Sequence, residues 1–199
     1  MNSMAETISA RMLACCAGRE RLLVAIDGRC ASGKSTLAGE LRRELDCAVF
    51  HMDDFFPRPE QRTDERLRTP GGNVDYERFG EEVLFPLRRG AEQVVLRTYD
   101  CAAQALRPPV RADAGRIVLI EGSYSCHPAL WDAYDLRIFL TVSAQEQAER
   151  IRARNGEDAL RVFLDRWIPL EERYFAAFRI QERCDLCFDT GGSAPDRGQ

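Results

Sequence analysis

A glycine-rich loop with a single lysine is the clearest chemical signal in this sequence. Residues 28–35 read Gly-Arg-Cys-Ala-Ser-Gly-Lys-Ser and match G-x-x-x-x-G-K-[ST], a pattern that binds phosphate groups. Its glycines permit a tight turn whose N–H groups point at an anion, and the helix that follows adds its positive dipole end. The pattern therefore predicts a nucleotide-binding loop formed by Gly28, Arg29, Cys30, Ala31, Ser32, Gly33, Lys34, Ser35 and Thr36.

Lys34 is the only lysine in the chain, and every other residue among its 28 Lys and Arg is arginine. A guanidinium is planar and bulky and suits a fork of oxygens, whereas an ammonium is compact and fits inside a tight loop. A sequence that otherwise avoids lysine keeps one where an ammonium is required. We expect Lys34 to contact the β- and γ-phosphates and the hydroxyl of Ser35 to bind Mg²⁺.

Three acidic residues follow predicted strands. Asp53 and Asp54 come after the second strand, and Glu121 ends the third. In an open parallel sheet, ligands gather at the carboxyl ends of the strands. Acids at that edge could orient magnesium or accept a proton from an attacking hydroxyl, although Asp54 could instead cap the following turn. Glu121 occupies the Walker-B position, from which a carboxylate reaches the magnesium.

Three arginines, Arg150, Arg152 and Arg154, lie at the end of a predicted helix, just before Asn-Gly. Cations at such a place predict a mobile lid that reaches a transferring phosphoryl group. Arg150 and Arg154 share a helix face, and Arg152 does not. The alternative is a solvated helix face on which Glu146 and Glu149 are their partners.

Apolar runs alternate with helical patterns along the chain, which predicts a parallel sheet with helices on both faces. The N-terminal segment predicts an amphipathic helix with Ile8, Met12 and Leu13 on one side. A helix is also expected after Ser143 as N-cap, with Glu146 completing a capping box. Strands are expected at "RLLVAI", "CAVFHM", "GRIVLIEG", "LRIFLTV" and "DLCFD".

We therefore predict one α/β domain over residues 1–199, with the three-layer P-loop NTPase fold and a short lid. Within it we distinguish an N-terminal helix (1–20), two insertions on the acceptor side (57–73 and 94–112), the lid (150–158) and a polar tail (191–199). The first insertion is irregular and basic, and the second predicts a hairpin around residues 101–104.

Composition narrows the function classes. A net charge of −4 disfavours a broad nucleic-acid surface, and no apolar stretch is long enough for a membrane span. Eight cysteines without a secretory signal favour a reducing cytoplasm. Cys184 and Cys187 have C-x-x-C spacing but no partner pair for zinc, so we expect buried thiols on a core strand. His51 and His127 are more typical of structural histidines.

These motifs resemble the uridine kinase-like family of P-loop kinases, which is related to nicotinamide riboside kinases, phosphoribulokinase and P-loop pantothenate kinases. The resemblance runs from about residue 22 to 190. It rests on the phosphate loop, on "DDFF", "RTYD" and "VLIEG", on the lid arginines, and on "RCDLCFDTG" near the end.

The resemblance implies a role for each matching residue. Asp53 is the base that takes the proton of the acceptor hydroxyl, and Asp54 is a variable position. Phe55 and Phe56 wall the acceptor pocket, and Tyr99 contacts the acceptor. Glu121 serves the magnesium with Ser35 and Asp53, while Arg150 and Arg154 serve the phosphates.

The sequence departs from this family in the segment that reads the nucleoside. Here it runs "GGNVDYERF", and Asp75 is the best candidate for a ribose-hydroxyl contact. The lid is short and lacks an Arg-Gly-Arg pattern. The expected activity is an ATP-dependent, Mg²⁺-dependent transfer of the γ-phosphoryl group to a hydroxyl of a nucleoside such as uridine or cytidine, with GTP as another donor to consider.

Two alternatives stay open. The acceptor could be pantothenate-like, or another vitamin or sugar alcohol. The chain could also be a non-catalytic ATP-binding regulator, although such a switch needs no acceptor pocket. In both kinase hypotheses the partner is a small molecule whose hydroxyl accepts the phosphoryl group. We expect no nucleic-acid or membrane partner. The sequence does not decide whether the chain forms a homo-oligomer.

Overall fold

The strands and helices alternate as the sequence predicts. A computed structural model describes residues 3–192, so most of the predicted polar tail lies outside the described residues. The strands are β1 (Leu22–Gly28), β2 (Ala48–His51), β3 (Gln93–Leu96), β4 (Tyr99–Asp100), β5 (Ala105–Leu106), β6 (Val110–Asp113), β7 (Ile117–Glu121), β8 (Leu136–Thr141) and β9 (Leu186–Asp189). The helices are α1 (Met4–Cys16), α2 (Lys34–Leu45), α3 (Asp64–Arg68), α4 (Tyr76–Phe79), α5 (Phe85–Arg88), α6 (Ala144–Asn155), α7 (Glu157–Val162), α8 (Ile168–Phe178) and α9 (Ile180–Arg183).

Five strands form one parallel sheet in the order β2-β7-β1-β8-β9. The register pairs His51 with Glu121 at the carboxyl ends of β2 and β7. It also pairs Gly28 with Leu140 at the ends of β1 and β8. The segments that follow these strands therefore meet at one edge of the sheet.

The sheet separates two apolar layers, which confirms the predicted α/β three-layer fold. Every residue of β1 is buried, as expected for a central parallel strand. Leu23 and Ala25 pack on one face with the aromatic residues of α4 and α8. Leu22, Val24 and Ile26 pack on the other face with α1 and α2.

The N-terminal helix packs through a stripe that differs from the prediction at one position. Ile8, Met12 and Cys16 are buried at a spacing of four residues, whereas Leu13 is 54% exposed. Ser3 caps this helix, and its hydroxyl accepts from the N–H of Glu6, whose side chain returns to the N–H of Ser3. A complete capping box thus fixes the start of α1.

The predicted capping box of α6 is only half formed. Ser143 accepts from the N–H of Glu146, as expected for the N-cap. The carboxylate of Glu146 accepts instead from the N–H of Gly192, so it holds the end of the described chain.

The two segments predicted as insertions are ordered. Residues 57–73 contain a 3₁₀ turn and the short helix α3, so they are less irregular than expected. Strand β3 pairs antiparallel with β6, and β4 pairs with β5 around residues 101–104, which confirms the hairpin.

The chain between β8 and β9 is almost entirely helical. Gly156, with a φ of 85°, joins α6 directly to α7. A π-helical segment at Phe163–Trp167 then leads into α8, immediately before Pro169. The residues predicted as a lid are therefore a tight corner between two helices.

All eight cysteines are free thiols, and Cys187 is exposed on β9, contrary to the expected buried pair. No helix within residues 3–192 is long and apolar enough to cross a membrane.

Candidate active site

The glycine-rich loop follows β1, and its backbone conformation depends on two glycines. Gly28 has a φ of 136°, and a Cβ there would lie 2.0 Å from the carbonyl oxygen of Leu140 on β8. Gly33 has a φ of 92° and is the N-cap of α2. No side chain caps that helix, so its first N–H groups are free to bind an anion.

The Lys34 ammonium lies inside the loop. Its Nζ donates to the carbonyl oxygens of Gly28 at 2.7 Å and Arg29 at 2.9 Å. An ammonium has three N–H donors, so one remains for a phosphate oxygen. The two carbonyls fix the charge in place before any phosphate arrives.

The outer part of the loop is held by side chains from distant elements. Arg29 forms a bidentate salt bridge with Glu172 of α8, with N···O distances of 2.6 and 2.9 Å. The Cys30 N–H donates to Glu171 at 3.0 Å, and the Cys30 carbonyl accepts from Gln147 of α6 at 3.0 Å. The loop is therefore tied to the helices that follow β8.

A candidate magnesium site lies where β7 ends beside the loop. Glu121 is 3% exposed, and its Oε2 accepts from the Ser35 hydroxyl at 3.1 Å. This oxygen set fits Mg²⁺, which binds through one or two carboxylates together with phosphate oxygens and water. Residues 3–192 hold no cluster of three or more His, Cys, Asp or Glu that could bind a metal on its own.

His51 contacts this carboxylate. Its Nδ1 lies 2.5 Å from Glu121 Oε1, and the hydrogen bond to Glu121 raises the pKa of His51. The imidazole therefore holds Glu121 in position, a contact that the sequence did not predict.

Asp53 lies next to the same strand end. A Cβ on Gly122 would be 3.2 Å from Asp53 Oδ1, so the glycine leaves room for this carboxylate. The Asp53 side chain is exposed to solvent through the cavity. Many protein atoms nevertheless surround its carboxylate, and the resulting loss of solvation raises its pKa. Lys34 opposes that shift, while the charges of Glu121 and Glu171 add to it. A carboxyl with a raised pKa is a better proton acceptor.

One cavity of about 850 Å³ connects these groups. The phosphate loop, Glu121, Asp53 and a set of aromatic residues all line it. There Phe56 packs edge-on against Trp167, with ring centroids 6.1 Å apart, and Arg62 stacks on Phe56 at 4.7 Å. The cavity thus offers an anion site, a carboxylate and two aromatic rings.

Known proteins that are similar to this chain carry kinase names. No family model matches the chain. It is 32% identical over 142 residues to human nicotinamide riboside kinase 2, and the match covers 68% of this chain and 58% of that protein. The chain is similar to the uridine kinase-like P-loop kinases.

Solved structures show the same fold. A Bacillus stearothermophilus protein described as a "possible uridine kinase" superposes with a TM-score of 0.70 at 22% identity, over 93% of this chain and 97% of that one. The circularly permuted P-loop protein YFH7 of Saccharomyces cerevisiae superposes with a TM-score of 0.64 at 11% identity, over 96% of this chain and 100% of its own.

Within this uridine kinase-like fold, most of the predicted nucleotide residues line the cavity. Gly28, Arg29 and Ser32 do not line it. Gly28 provides the turn, and Arg29 points toward Glu172. Those that do line it are Cys30, Ala31, Gly33, Lys34, Ser35 and Thr36.

The lid arginines differ in their partners. Arg150 donates to the Ala31 carbonyl at 3.2 Å and to the Thr190 carbonyl at 2.6 Å. Both Arg150 and Arg154 line the cavity, but the Arg154 Nε donates only to Asn155 within the described part of the chain. Arg152 pairs with Glu157 at 2.7 Å on the outer surface.

Two residues that the sequence analysis expects to contact the acceptor, Tyr99 and Asp75, do not line the cavity. Tyr99 packs behind Phe56, with ring centroids 5.9 Å apart, and its hydroxyl accepts from Arg62. Asp75 is 1% exposed and forms an ion pair with Arg78 at 2.9 Å. Asp75 also caps α4, a role that its position before a helical pattern could have predicted.

Several residues that sequence reasoning missed do line the cavity. They are polar side chains from three separate segments, Asn73, Tyr124 and Glu171. Asp27 was missed as well. It is fully buried at the end of β1 and accepts from the N–H groups of Gly28 and Cys126 and from the Tyr174 hydroxyl. Burial raises its pKa to about 6. No spacing pattern marks these residues, because only the tertiary fold brings them together.

Proposed function

We propose that this protein is an ATP- and Mg²⁺-dependent kinase that phosphorylates a hydroxyl of a nucleoside. The observation that carries the proposal is that the phosphate loop and Asp53 line the same cavity. The match to nicotinamide riboside kinase 2 supports the same chemistry, although the chain spans just over half of that relative's length.

Each group has a role in this reaction. The loop amides and Lys34 bind the terminal phosphates, and Arg154 approaches the transferring group from the lid. Asp53 accepts the proton of the attacking hydroxyl and orients it in line with the phosphoryl group. A bound Mg²⁺, held through Ser35 and Glu121, would neutralise charge on the phosphate oxygens.

The aromatic wall favours a nucleoside over a flexible acceptor such as pantothenate. Phe56 and Trp167 offer two rings at an angle of 80° on which a planar base can pack. The free cysteines are consistent with the cytoplasmic location that we also propose.

The test is an acceptor panel with coupled detection of ADP or GDP. It contains uridine, cytidine, nicotinamide riboside, pantothenate and sugar alcohols, each with ATP and with GTP. We expect phosphorylation of at least one nucleoside well above the background hydrolysis. Phosphorylation of only pantothenate or a sugar alcohol would overturn the acceptor class, and tight ATP binding without transfer to any acceptor would favour the regulator.

A further inference from the structure

Two separate parts of the chain form the candidate magnesium site. Ser35 belongs to the phosphate loop, and Glu121 ends β7, with 3.1 Å between the Ser35 hydroxyl and Glu121 Oε2. We call residues 122–126, which follow Glu121, the β7 segment. Because Mg²⁺ demands near-ideal octahedral geometry, a site shared between the loop and β7 works only if the two are held at a fixed separation.

Glu171 of α8 bridges the loop and the β7 segment. One carboxylate oxygen accepts from the N–H of Cys30 in the loop at 3.0 Å. The other accepts from the hydroxyl of Ser123 in the β7 segment at 2.6 Å. Glu171 is only 4% exposed, so water competes little for these hydrogen bonds. The carboxylate therefore ties the two parts of the chain together from the side of α8.

Asp27 forms a second bridge between the same two parts. Its Oδ1 accepts from the N–H of Gly28, where the loop begins, at 2.7 Å and from the N–H of Tyr124 at 3.1 Å. Its Oδ2 accepts from the N–H of Cys126 at 2.9 Å. Asp27 is fully buried at the end of β1. It therefore joins the loop to the β7 segment from inside the sheet.

Both bridges are costly to build. Every donor to these two carboxylates is a neutral N–H or O–H group, and a buried charge without an ionic partner destabilises a fold. The Asp27 bridge also holds Tyr124 at a φ of 73°, which bulky side chains rarely adopt. Such strain is typical of sites where the chain needs a particular geometry.

We propose that Asp27 and Glu171 are positioning residues that hold the phosphate loop and the β7 segment at the separation that a bound Mg²⁺ requires. They act through Ser35 and Glu121. Without the bridges, the loop still binds phosphates through its own amides and Lys34, but the magnesium ligands are no longer preorganised. The inference rests on the proposed kinase function and adds two residues to its machinery.

The test measures the affinity for ADP by calorimetry, once with Mg²⁺ and once with EDTA. The ratio of the two dissociation constants is the gain in affinity that Mg²⁺ provides. We expect a clear gain in the wild type and a gain about tenfold smaller in Glu171→Ala, which removes one bridge. The affinity in EDTA should change little. Since Glu171 borders the cavity, water can fill the space that alanine leaves.

Glu171→Gln is the matched control for Glu171→Ala. Its amide oxygen can accept from the Cys30 N–H, and its NH₂ group can donate to the Ser123 oxygen. The bridge is thereby kept and only the charge is lost, so we expect most of the Mg²⁺ gain to remain. A loss in Glu171→Gln as large as that in Glu171→Ala would show that the charge itself acts on the ion or the phosphates, which contradicts a positioning role.

Asp27→Asn and Tyr174→Phe form a second pair. An amide has one oxygen, so Asp27→Asn leaves at least one bridging N–H without an acceptor, and the Mg²⁺ gain should fall by about three- to tenfold. The Tyr174 hydroxyl donates to Asp27 Oδ2 at 2.8 Å but belongs to neither bridged part. Tyr174→Phe should therefore lower the melting temperature and leave the Mg²⁺ gain unchanged. If Asp27→Asn does not fold, the two Glu171 variants decide.

An undiminished Mg²⁺ gain in Glu171→Ala would overturn the inference, and so would a wild-type ADP affinity that Mg²⁺ does not raise. A merely structural role would lower the melting temperature of Glu171→Ala and leave the gain of the folded protein intact. Failure of the proposed function is seen separately, in the acceptor panel with the wild type, because ADP binding requires no acceptor.

Discussion

The carboxylate of Asp75 lies 2.9 Å from Arg78 Nε, and both side chains are almost completely buried. Asp75 also accepts from the Arg78 N–H at 3.3 Å and from Gln61 at 3.1 Å. Three hydrogen bonds to this carboxylate are thus formed within the protein. The ion pair lies behind the cavity wall and supports Phe55, on which the Arg78 guanidinium stacks at 4.4 Å.

We therefore predict that Asp75→Asn affects stability more than acceptor binding. Losing this counter-charge leaves the buried Arg78 with Glu82, 3.8 Å away, as its remaining charged partner, at a cost of about 3 kcal/mol in the free energy of unfolding. Urea denaturation measures this change. Asp158→Asn is the control, since Asp158 is 99% exposed and should alter stability by less than about 0.5 kcal/mol. A stable Asp75→Asn variant with a raised KM for the acceptor would support the ribose contact that the sequence analysis expects of Asp75.

Asp53→Asn tests the proton acceptor. The amide keeps the size of the side chain but cannot accept the proton, so we expect turnover to fall by roughly two to four orders of magnitude. Nucleotide affinity, measured by calorimetry, should change little. Asp54→Asn is the matched control, because Asp54 does not line the cavity. Unchanged turnover in Asp53→Asn would exclude the assigned role.

We expect a different effect from the substitution of each of the three lid arginines. Arg154→Gln should lower kcat about a hundredfold at an unchanged melting temperature, since Arg154 faces the cavity without a salt bridge among the described residues. Arg150→Gln should lower the melting temperature and weaken ATP binding, because Arg150 holds the Ala31 carbonyl. Arg152→Gln should do neither. A large kcat effect in Arg152→Gln would contradict this division.

We predict that the titration of His127 lowers the stability of the folded protein in mild acid. Burial lowers its pKa to about 4, against about 6.5 in an unfolded chain. Its Nδ1 accepts from the Ala129 N–H at 3.2 Å, and its ring stacks on Tyr76 at 3.8 Å. As the pH falls from 6.5 toward 4, the unfolded chain takes up a proton that the folded chain refuses, so up to about 3 kcal/mol of stability is lost.

His127→Phe keeps the stacking and removes this titration. We expect the free energies of unfolding of the two proteins to converge as the pH falls through that window, in denaturant titrations at matched ionic strength. Parallel curves for the two proteins would show that His127 does not titrate in this way.

The sequence predicted the fold largely because local patterns determine it. The apolar runs at 22–26 and 117–120 have no polar interruption, and the glycine-rich loop between β1 and α2 fits few other folds. Strand order could not be predicted, because it depends on pairing between segments such as β1 and β7 that lie far apart in the chain.

The placement of residues at the candidate site was predictable at motif positions such as Lys34, Asp53 and Glu121, which line the cavity. It was not predictable where burial decides the role. Glu171 and Glu172 are neighbours of the same type, yet one lines the cavity and the other pairs with Arg29. Tyr99 is the opposite case. It occupies a motif position, yet its ring packs behind Phe56 and does not line the cavity.

The position of the Lys34 ammonium between two loop carbonyls has a practical consequence. Because Lys34 is the chain's sole lysine, isotope labelling of lysine would produce a single side-chain amine resonance, free of overlap. The nitrogen that gives this resonance lies 2.7 Å from the carbonyl oxygen of Gly28. Nuclear magnetic resonance could therefore follow occupancy of the phosphate loop directly, without any engineered reporter.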